Sequence, residues 1–257
     1  MSATTDRGAS DNDLLGIWRA RFESPVSGWN FTDLSSEMTE EVPPWSYPAI
    51  AREHLRHARH ALDMGTGGGE MLMTLADALP DDTVATEGWQ PNLSIAAETL
   101  APEGVEVVFY DAEADAAMPF SEDRFDLILN RHEAYDSAEV HRVLRRGGYF
   151  VTQQVDGRNL EESQQLFGTS SDYDHVTLAN FSRQAQDAGL VIERKQEWVG
   201  KVVFESVAAM VRYFAIVPWE VPDDFSIDPY AETLLHLHRS KAELVFTQRR
   251  FLLIAYA

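Results

Sequence analysis

The residues best suited to chemistry begin at Ala61-Leu62-Asp63-Met64-Gly65-Thr66-Gly67-Gly68-Gly69-Glu70, an apolar strand end carrying one acid and then glycine at alternate positions. Glycine has no Cβ, so a chain leaving a strand here can adopt positive φ and bring its backbone against a ligand before entering a helix. A dinucleotide loop of the form G-x-G-x-x-G needs a third glycine where Glu70 stands. The alternative, acid-x-G-x-G-x-G, is filled by Asp63, Gly65, Gly67 and Gly69, with the acid at the strand tip facing a positively charged ligand group. Three further chemical positions follow. Glu87 closes the β-branched run Thr83-Val84-Ala85-Thr86. Asp111-Ala112 follows the alternating run Val105 to Tyr110, and Asn130-Arg131-His132-Glu133-Ala134-Tyr135-Asp136 extends the apolar run that starts at Phe125. Imidazole titrates near neutrality, so His132 is a candidate general base; its alternative is a structural bond to a backbone carbonyl. Tyr135 either orients an acceptor or lines its pocket.

Elements able to position these residues are legible from periodicity. Helices are predicted over 48–59, 70–79 (ended by Pro80), 91–100 (Pro91 in the first turn), 136–146 (Asp136 as cap, Glu139 three residues on, Gly147 after the last turn) and 176–188 (ended by Gly189). Strand character returns over 190–198 and 246–256. Strands alternating with helices imply a parallel sheet covered on both faces, with its ligand crevice at the strand C-termini. The glycine loop, Glu87, Asp111 and Asn130 all fall at such ends. Residues 1–13 are small and polar and are predicted to form a disordered tail. Residues 14–47 carry Trp18, Phe22, Trp29, Phe31, Trp45 and Tyr47, either as an aromatic cap over the site or as packing against the core. Residues 48–257 then form the main domain. Within it, 200–243 holds an insertion of two helices, 203–217 and 233–244, around Pro218-Trp219-Glu220-Val221-Pro222; it is either a lid or a dimer contact or extra core layer. His54, His57 and His60 recur at three-residue steps but interleave with Arg52, Arg56 and Arg59, and no metal site is expected.

In this array the chain resembles the class I S-adenosylmethionine-dependent methyltransferases, whose first motif is the acid-glycine loop. The other landmarks follow in family order: Glu87, Asp111-Ala112, Phe125-Asp126-Leu127-Ile128-Leu129-Asn130, and Arg142-Val143-Leu144-Arg145-Arg146-Gly147-Gly148-Tyr149-Phe150. Together they cover roughly residues 59 to 155. The Asn-Arg-His-Glu segment, with the stretch near Trp219 and Pro222, is similar to small bacterial methyltransferases of the type 11 group. The resemblance implies a Rossmann-like, doubly wound, seven-stranded α/β sheet with an N-terminal cap and a helical insertion before the last strand. It implies S-adenosylmethionine as cofactor and S-adenosylhomocysteine as product. The methionine part would meet Asp63, Gly65, Thr66 and Gly67, the ribose Glu87 with Gly88, and the adenine Asp111 and Ala112. Asn130 and Arg131 complete the cofactor set, and Trp89 either flanks adenine or belongs to the core. His132 and Tyr135 stand on the acceptor side.

Bulk properties narrow the partners. There are 42 acids and 21 bases, a formal net charge of −21. Nucleic-acid binding draws on Lys and Arg at phosphates, so RNA or DNA is disfavoured and a small-molecule acceptor is expected. Basic clusters at Arg52, Arg56 and Arg59, at Arg145 and Arg146, and at Arg239, Lys241, Arg249 and Arg250 read as solvated faces or partners of the abundant acids. An RNA methyltransferase, or a non-catalytic cofactor-binding protein, is the alternative. No Asn-Pro-Pro-Tyr segment is present, which disfavours exocyclic amines of nucleobases and glutamine amides as acceptors. Zero cysteines exclude disulfides and thiolate metal sites. No apolar run approaches the roughly 20 residues of a membrane helix, and the first residues are polar and acidic, so a cytoplasmic monomer or homodimer without membrane contact is expected.

Overall fold

The computed structural model describes residues 9–26, 31–114 and 117–257. Residues 1–8 of the expected tail and Trp29 of the aromatic segment lie outside the described residues. In chain order the elements are α1 (Asp11–Phe22), β1 (Met38–Glu40), α2 (Tyr47–Leu55), β2 (His60–Met64), α3 (Glu70–Met73), β3 (Asp82–Glu87), α4 (Gln90–Leu100), β4 (Glu106–Phe109), β5 (Phe125–Arg131), α5 (Ser137–Val143), β6 (Leu144–Val155), α6 (Glu161–Phe167), α7 (Leu178–Asp187), β7 (Val191–Phe204), α8 (Val207–Ile216), α9 (Ala231–Ser240) and β8 (Leu244–Tyr256). Helix α1 begins inside the stretch assigned to the tail, because Ser10 and Asp13 form a reciprocal capping box.

The strands form one sheet in the order β1-β7-β8-β6-β5-β2-β3-β4. This corrects the expected count of seven to eight. The additional strand, β1, is three residues long and pairs antiparallel with β7, too short to leave an alternation signal in the sequence. Pairs β2–β3, β3–β4, β2–β5 and β5–β6 are parallel, and β6–β8 is antiparallel. From β2 the chain builds outward through β3 and β4 on one side and through β5 and β6 on the other. The order therefore reverses between β2 and β5, where doubly wound sheets bind ligands at the strand C-termini.

By contact density the chain divides into two units, Pro44–Asp156 with His175–Trp198 and Arg250–Ala257, and Met1–Pro43 with Gly157–Asp174 and Val199–Arg249. In the first, alternate strand residues feed cores on both sheet faces. Leu62, Ile128, Phe150 and Phe251 meet Val140, Val143, Phe181 and Ala185 of α5 and α7 on one face. Ala61, Leu127, Leu129, Val151 and Leu252 meet Trp45, Tyr47, Ala51 and Leu55 on the other. Burial on both faces explains why these strands read as near-continuous apolar runs.

The second unit has its own aromatic core, in which Phe167 meets the ring edges of Phe214 at 5.7 Å and Phe225 at 4.9 Å. Arg212 of α8 is buried there, bonded to Asp33 at 2.7 Å and to the carbonyls of Ser24 and Pro25 at 2.8 and 3.1 Å. The helix expected from 203 starts at Val207, because Ser206 caps it and the preceding residues extend β7.

Two other helices are shorter than their periodicity suggests. The one expected over 70–79 ends at Met73, where Thr74 Oγ1 bonds back to the Met71 carbonyl at 2.7 Å and Arg52 takes the Thr74 carbonyl at 2.6 Å. The one expected over 136–146 ends at Val143, because Leu144 turns extended and pairs with Phe125.

Candidate functional site

Strands β2 and β5 lie in register at the reversal point, with Asp63 opposite Leu129 and Met64 opposite Asn130. The loop after β2 uses its alternate glycines as the sequence implies: Gly65, Gly67 and Gly69 have φ of 65°, 64° and 87°. At Gly65 a Cβ would come within 2.3 Å of the Glu133 side chain, so the two chain segments meet where only glycine fits.

Glu87, at the end of β3, is buried and ties this loop down. Its Oε2 accepts from the Gly67 N–H at 2.7 Å and its Oε1 from the Trp89 N–H at 2.8 Å. Burial raises its proton affinity, opposed by those donated bonds. The Gly88 N–H also reaches this carboxylate, and its remaining lone-pair capacity is open to a further donor. Gly88 sits where a Cβ would crowd the Tyr110 carbonyl at 2.9 Å. Trp89 is 58% exposed and so does not belong to the core. Asp111 caps the turn after β4, its Oδ1 accepting from the Glu113 N–H at 3.0 Å beside Ala112.

Asp63 is pushed up to about 7 by burial, against a hydrogen bond from Thr66 and the pull of the Arg131 charge. Asn130 is fully buried, and its Oδ1 accepts from Thr152 Oγ1 at 2.9 Å and Gln154 Nε2 at 2.6 Å. Gln154 also bonds the Glu133 carbonyl at 3.0 Å, which fixes the chain leaving β5. Glu133 is raised to about 7 by burial and by the charges of Glu87, Glu113 and Asp111. Arg131 follows Asn130 and is exposed.

His132 is left-handed, with φ of 63°, a conformation worth attention in a residue other than glycine. Its N–H bonds the Gln153 carbonyl at 2.9 Å, and its Nε2 lies 3.0 Å from Gln153 Nε2. The side chain reaches solvent, yet the protein mass around it strips hydration and, with Arg131 and Arg250, holds the imidazole well below its ordinary value. The bond from the Gln153 amide acts in the same direction, because it needs the ring's lone pair.

Tyr135 lies apart from this edge. Its ring packs at 4.8 Å from Phe150 and 5.0 Å from Phe181, and burial raises its hydroxyl far above the usual value. The other candidates converge on the C-terminal ends of β2, β3, β4 and β5. Gln153 and Gln154 are not among the residues the sequence singles out, and it leaves Trp45 and Tyr47 between a cap over the site and core packing. The run Thr152-Gln153-Gln154, polar inside an otherwise apolar strand, was the available signal.

Residues 61–148 match the family described as a methyltransferase domain. That stretch is similar to a methyltransferase domain, and the chain shares the fold of solved class I methyltransferase structures. It is similar to the uncharacterized methyltransferase YcgJ of Bacillus subtilis (strain 168), 24% identical over 111 residues; that match spans 43% of this chain and 43% of the relative. Solved structures of the same fold include a candidate methyltransferase of Bacillus halodurans C-125 and a functionally unknown protein of Deinococcus radiodurans R1. The first has a TM-score of 0.58 and 19% identity, covering 82% of this chain and 98% of that one. The second has a TM-score of 0.60 and 11% identity, covering 95% and 98%.

Similarity to the methyltransferases implies S-adenosylmethionine, and residues at the β2/β5 reversal have polar groups suited to it. Asn130 Nδ2 is buried without a hydrogen-bond partner, while Thr66 Oγ1 and Tyr47 OH, also buried, are left with only the nearby Asp63 side chain and Asn130 backbone to meet. An unmet group of this kind costs about 1–3 kcal/mol, so a polar ligand would offset it. Asp63, next to Thr66 in the loop and within reach of the Tyr47 and Arg131 fields, adds an acid suited to a ligand's ammonium.

Proposed function

We propose that this protein transfers a methyl group from S-adenosylmethionine to a small-molecule acceptor. The observation that carries the reading is the acid-glycine loop at the β2/β5 reversal, with three left-handed glycines and Glu87 bonded to the loop's backbone. When bound, the cofactor supplies an electrophilic methyl on a sulfonium, and catalysis gains most from alignment of acceptor, methyl carbon and sulfur.

In this reading Asp63, Thr66 and Tyr47 hold the amino-acid end and the backbone of Gly65 and Gly67 lies against it. Glu87 uses its remaining lone pairs on the ribose hydroxyls. Asp111 and the Ala112 N–H read adenine, with the exposed Trp89 ring against its face. Asn130 turns its unsatisfied amide to the ligand, and Arg131 and His132 face the acceptor. Tyr135 supports His132's segment through the aromatic core. The charge of −21 favours a small acceptor over a polyanion. Among the described residues no helix is long and apolar enough to cross a membrane.

Isothermal titration with S-adenosylhomocysteine tests the reading. Binding by the wild-type chain, weakened about tenfold or more in Asp63→Ala and Glu87→Ala, is expected from loss of charge-assisted bonds. Unaltered affinity in both variants, or binding of a nicotinamide dinucleotide in its place, would overturn it.

A further inference from the structure

We propose that Trp45 and Gln153 are positioning residues that hold His132 in its Nδ1–H form, so that the ring donates a hydrogen bond to an oxygen of the acceptor substrate and does not remove its proton. The inference rests on reading this edge as the methyl-transfer site, and it deepens that reading by naming the acceptor's chemistry.

An indole nitrogen can only donate, and Trp45 Nε1 lies 2.8 Å from Gln153 Oε1, with both residues buried. That bond fixes the carbonyl end of the Gln153 amide. The end 3.0 Å from His132 Nε2 is therefore the NH2 group, which can only donate. Nε2 must accept, and the proton of the neutral ring resides on Nδ1. The backbone bond from His132 N–H to the Gln153 carbonyl holds the residue in its left-handed conformation, so the ring cannot easily turn away.

A base with its lone pair already taken is a poor base, whereas Nδ1–H makes no hydrogen bond within the described protein. Its surroundings select what it can bind. Arg131 of β5 stands opposite Gln153 of β6, and Arg250 of β8 stands opposite Val155, two residues along the same strand. Cross-strand partners share a face, so both guanidinium groups and Gln153 belong to one side of the sheet. Among the described residues the Arg131 guanidinium has no ion pair or hydrogen bond, and the acid that feels its charge is Asp63, on the same face of the sheet. From the imidazole's own loop, Glu133 turns to the glycine loop instead. Beside His132 the donors open to a ligand are the ring's Nδ1–H and the Arg131 guanidinium, with the Arg250 charge also felt at the ring, and these suit a carboxylate, phosphate, enolate or carbonyl oxygen.

Nitrogen NMR of histidine-labelled full-length chain tests the proposal without a known acceptor. The His132 resonances are identified by their loss in His132→Asn. The wild type is expected to show a neutral Nδ1–H ring through about one pH unit on either side of neutrality. In Gln153→Glu a carboxylate keeps the Trp45 bond but accepts from the ring, so His132 should switch to Nε2–H and titrate about one unit or more higher. Trp45→Phe should give a mixture of both forms, because the amide can then turn over. An Nε2–H ring in the wild type, or an unchanged ring in a folded Gln153→Glu, would overturn the proposal.

Sodium acetate is the probe for the oxygen acceptor. Added to protein loaded with S-adenosylhomocysteine, it should move the His132 Nδ1 signal, and acetamide at equal concentration should move it less. No response to acetate would overturn the donor role while leaving the tautomer standing. Calorimetry of the homocysteine compound on the same sample reports separately on the underlying methyltransferase reading.

Discussion

The two halves of the reversal point are built differently. On the β2–β3–β4 side, the ligand surface is backbone held by neighbours close in sequence: glycines two apart, and a glutamate twenty residues on that ties Gly67 and reaches Trp89 two positions away. On the β5–β6 side it is side chain, ordered by long-range bonds: Asn130 to Thr152 and Gln154, and Trp45 to Gln153 across 108 residues. The first half gathers carboxylates with raised proton affinity, suited to a cation. The second offers amide, imidazole and guanidinium donors, suited to oxygen. A cofactor carrying a sulfonium and an ammonium would meet the first, and an electron-rich acceptor the second.

The largest expected effect comes from breaking the backbone half. Gly65→Val puts a branched side chain at φ of 65° and into Glu133, so S-adenosylhomocysteine binding should fall at least about 100-fold by calorimetry, about 2.7 kcal/mol. A variant with wild-type affinity would show that the segments need not meet there.

A smaller effect sharpens the electrostatic contrast. Burial holds Asp63 and Glu133 protonated up to about 7, while a cationic ligand favours their ionised forms. Affinity for S-adenosylmethionine should therefore rise about tenfold from roughly pH 6 to 8, and Asp63→Asn or Glu133→Gln should flatten the profile. The sign for folding is opposite. Both folded values exceed the unfolded ones near 4, so ligand-free protein holds extra protons between about 4 and 7 and loses stability as pH rises through that window. Denaturant titration at several pH values checks this.

The smallest effect lies at the far end of the same strands. Arg124 first, and then His60, hold the Asp82 carboxyl down at about 2. This contribution is present above the unfolded value near 4 and fades as pH falls toward 2. The group is partly exposed, so Asp82→Asn should cost less than about 1 kcal/mol, a Tm drop of about 2–4 °C, with cofactor affinity unchanged.

Much of the backbone half was legible in the chain itself. The alternate glycines declare their conformation because the requirement for positive φ is local, β3 declares itself by its β-branched residues, and β5 by the apolar run that burial on both faces demands. Legibility failed where a distant partner overrode a local preference. The helix after the glycine loop stops at Met73 because Arg52 takes the Thr74 carbonyl, and no reading of residues 70–79 contains Arg52. The aromatic residues of 14–47 read equally as a cap or as core packing, and no local pattern tells that Trp18 joins a core with Phe214 and Phe225 while Trp45 and Tyr47 pack with Leu127 and Val151.

The sequence by itself determined the strand tips, the glycine conformations and the acidic charge, since each depends on residues within a turn or two of one another. Only the tertiary structure decided which nitrogen of His132 carries the proton, that Tyr135 lies in the aromatic core, and that Glu133 rests against Gly65. Those facts depend on strands brought side by side from distant parts of the chain, where one buried donor must find one acceptor, and no local pattern encodes that match.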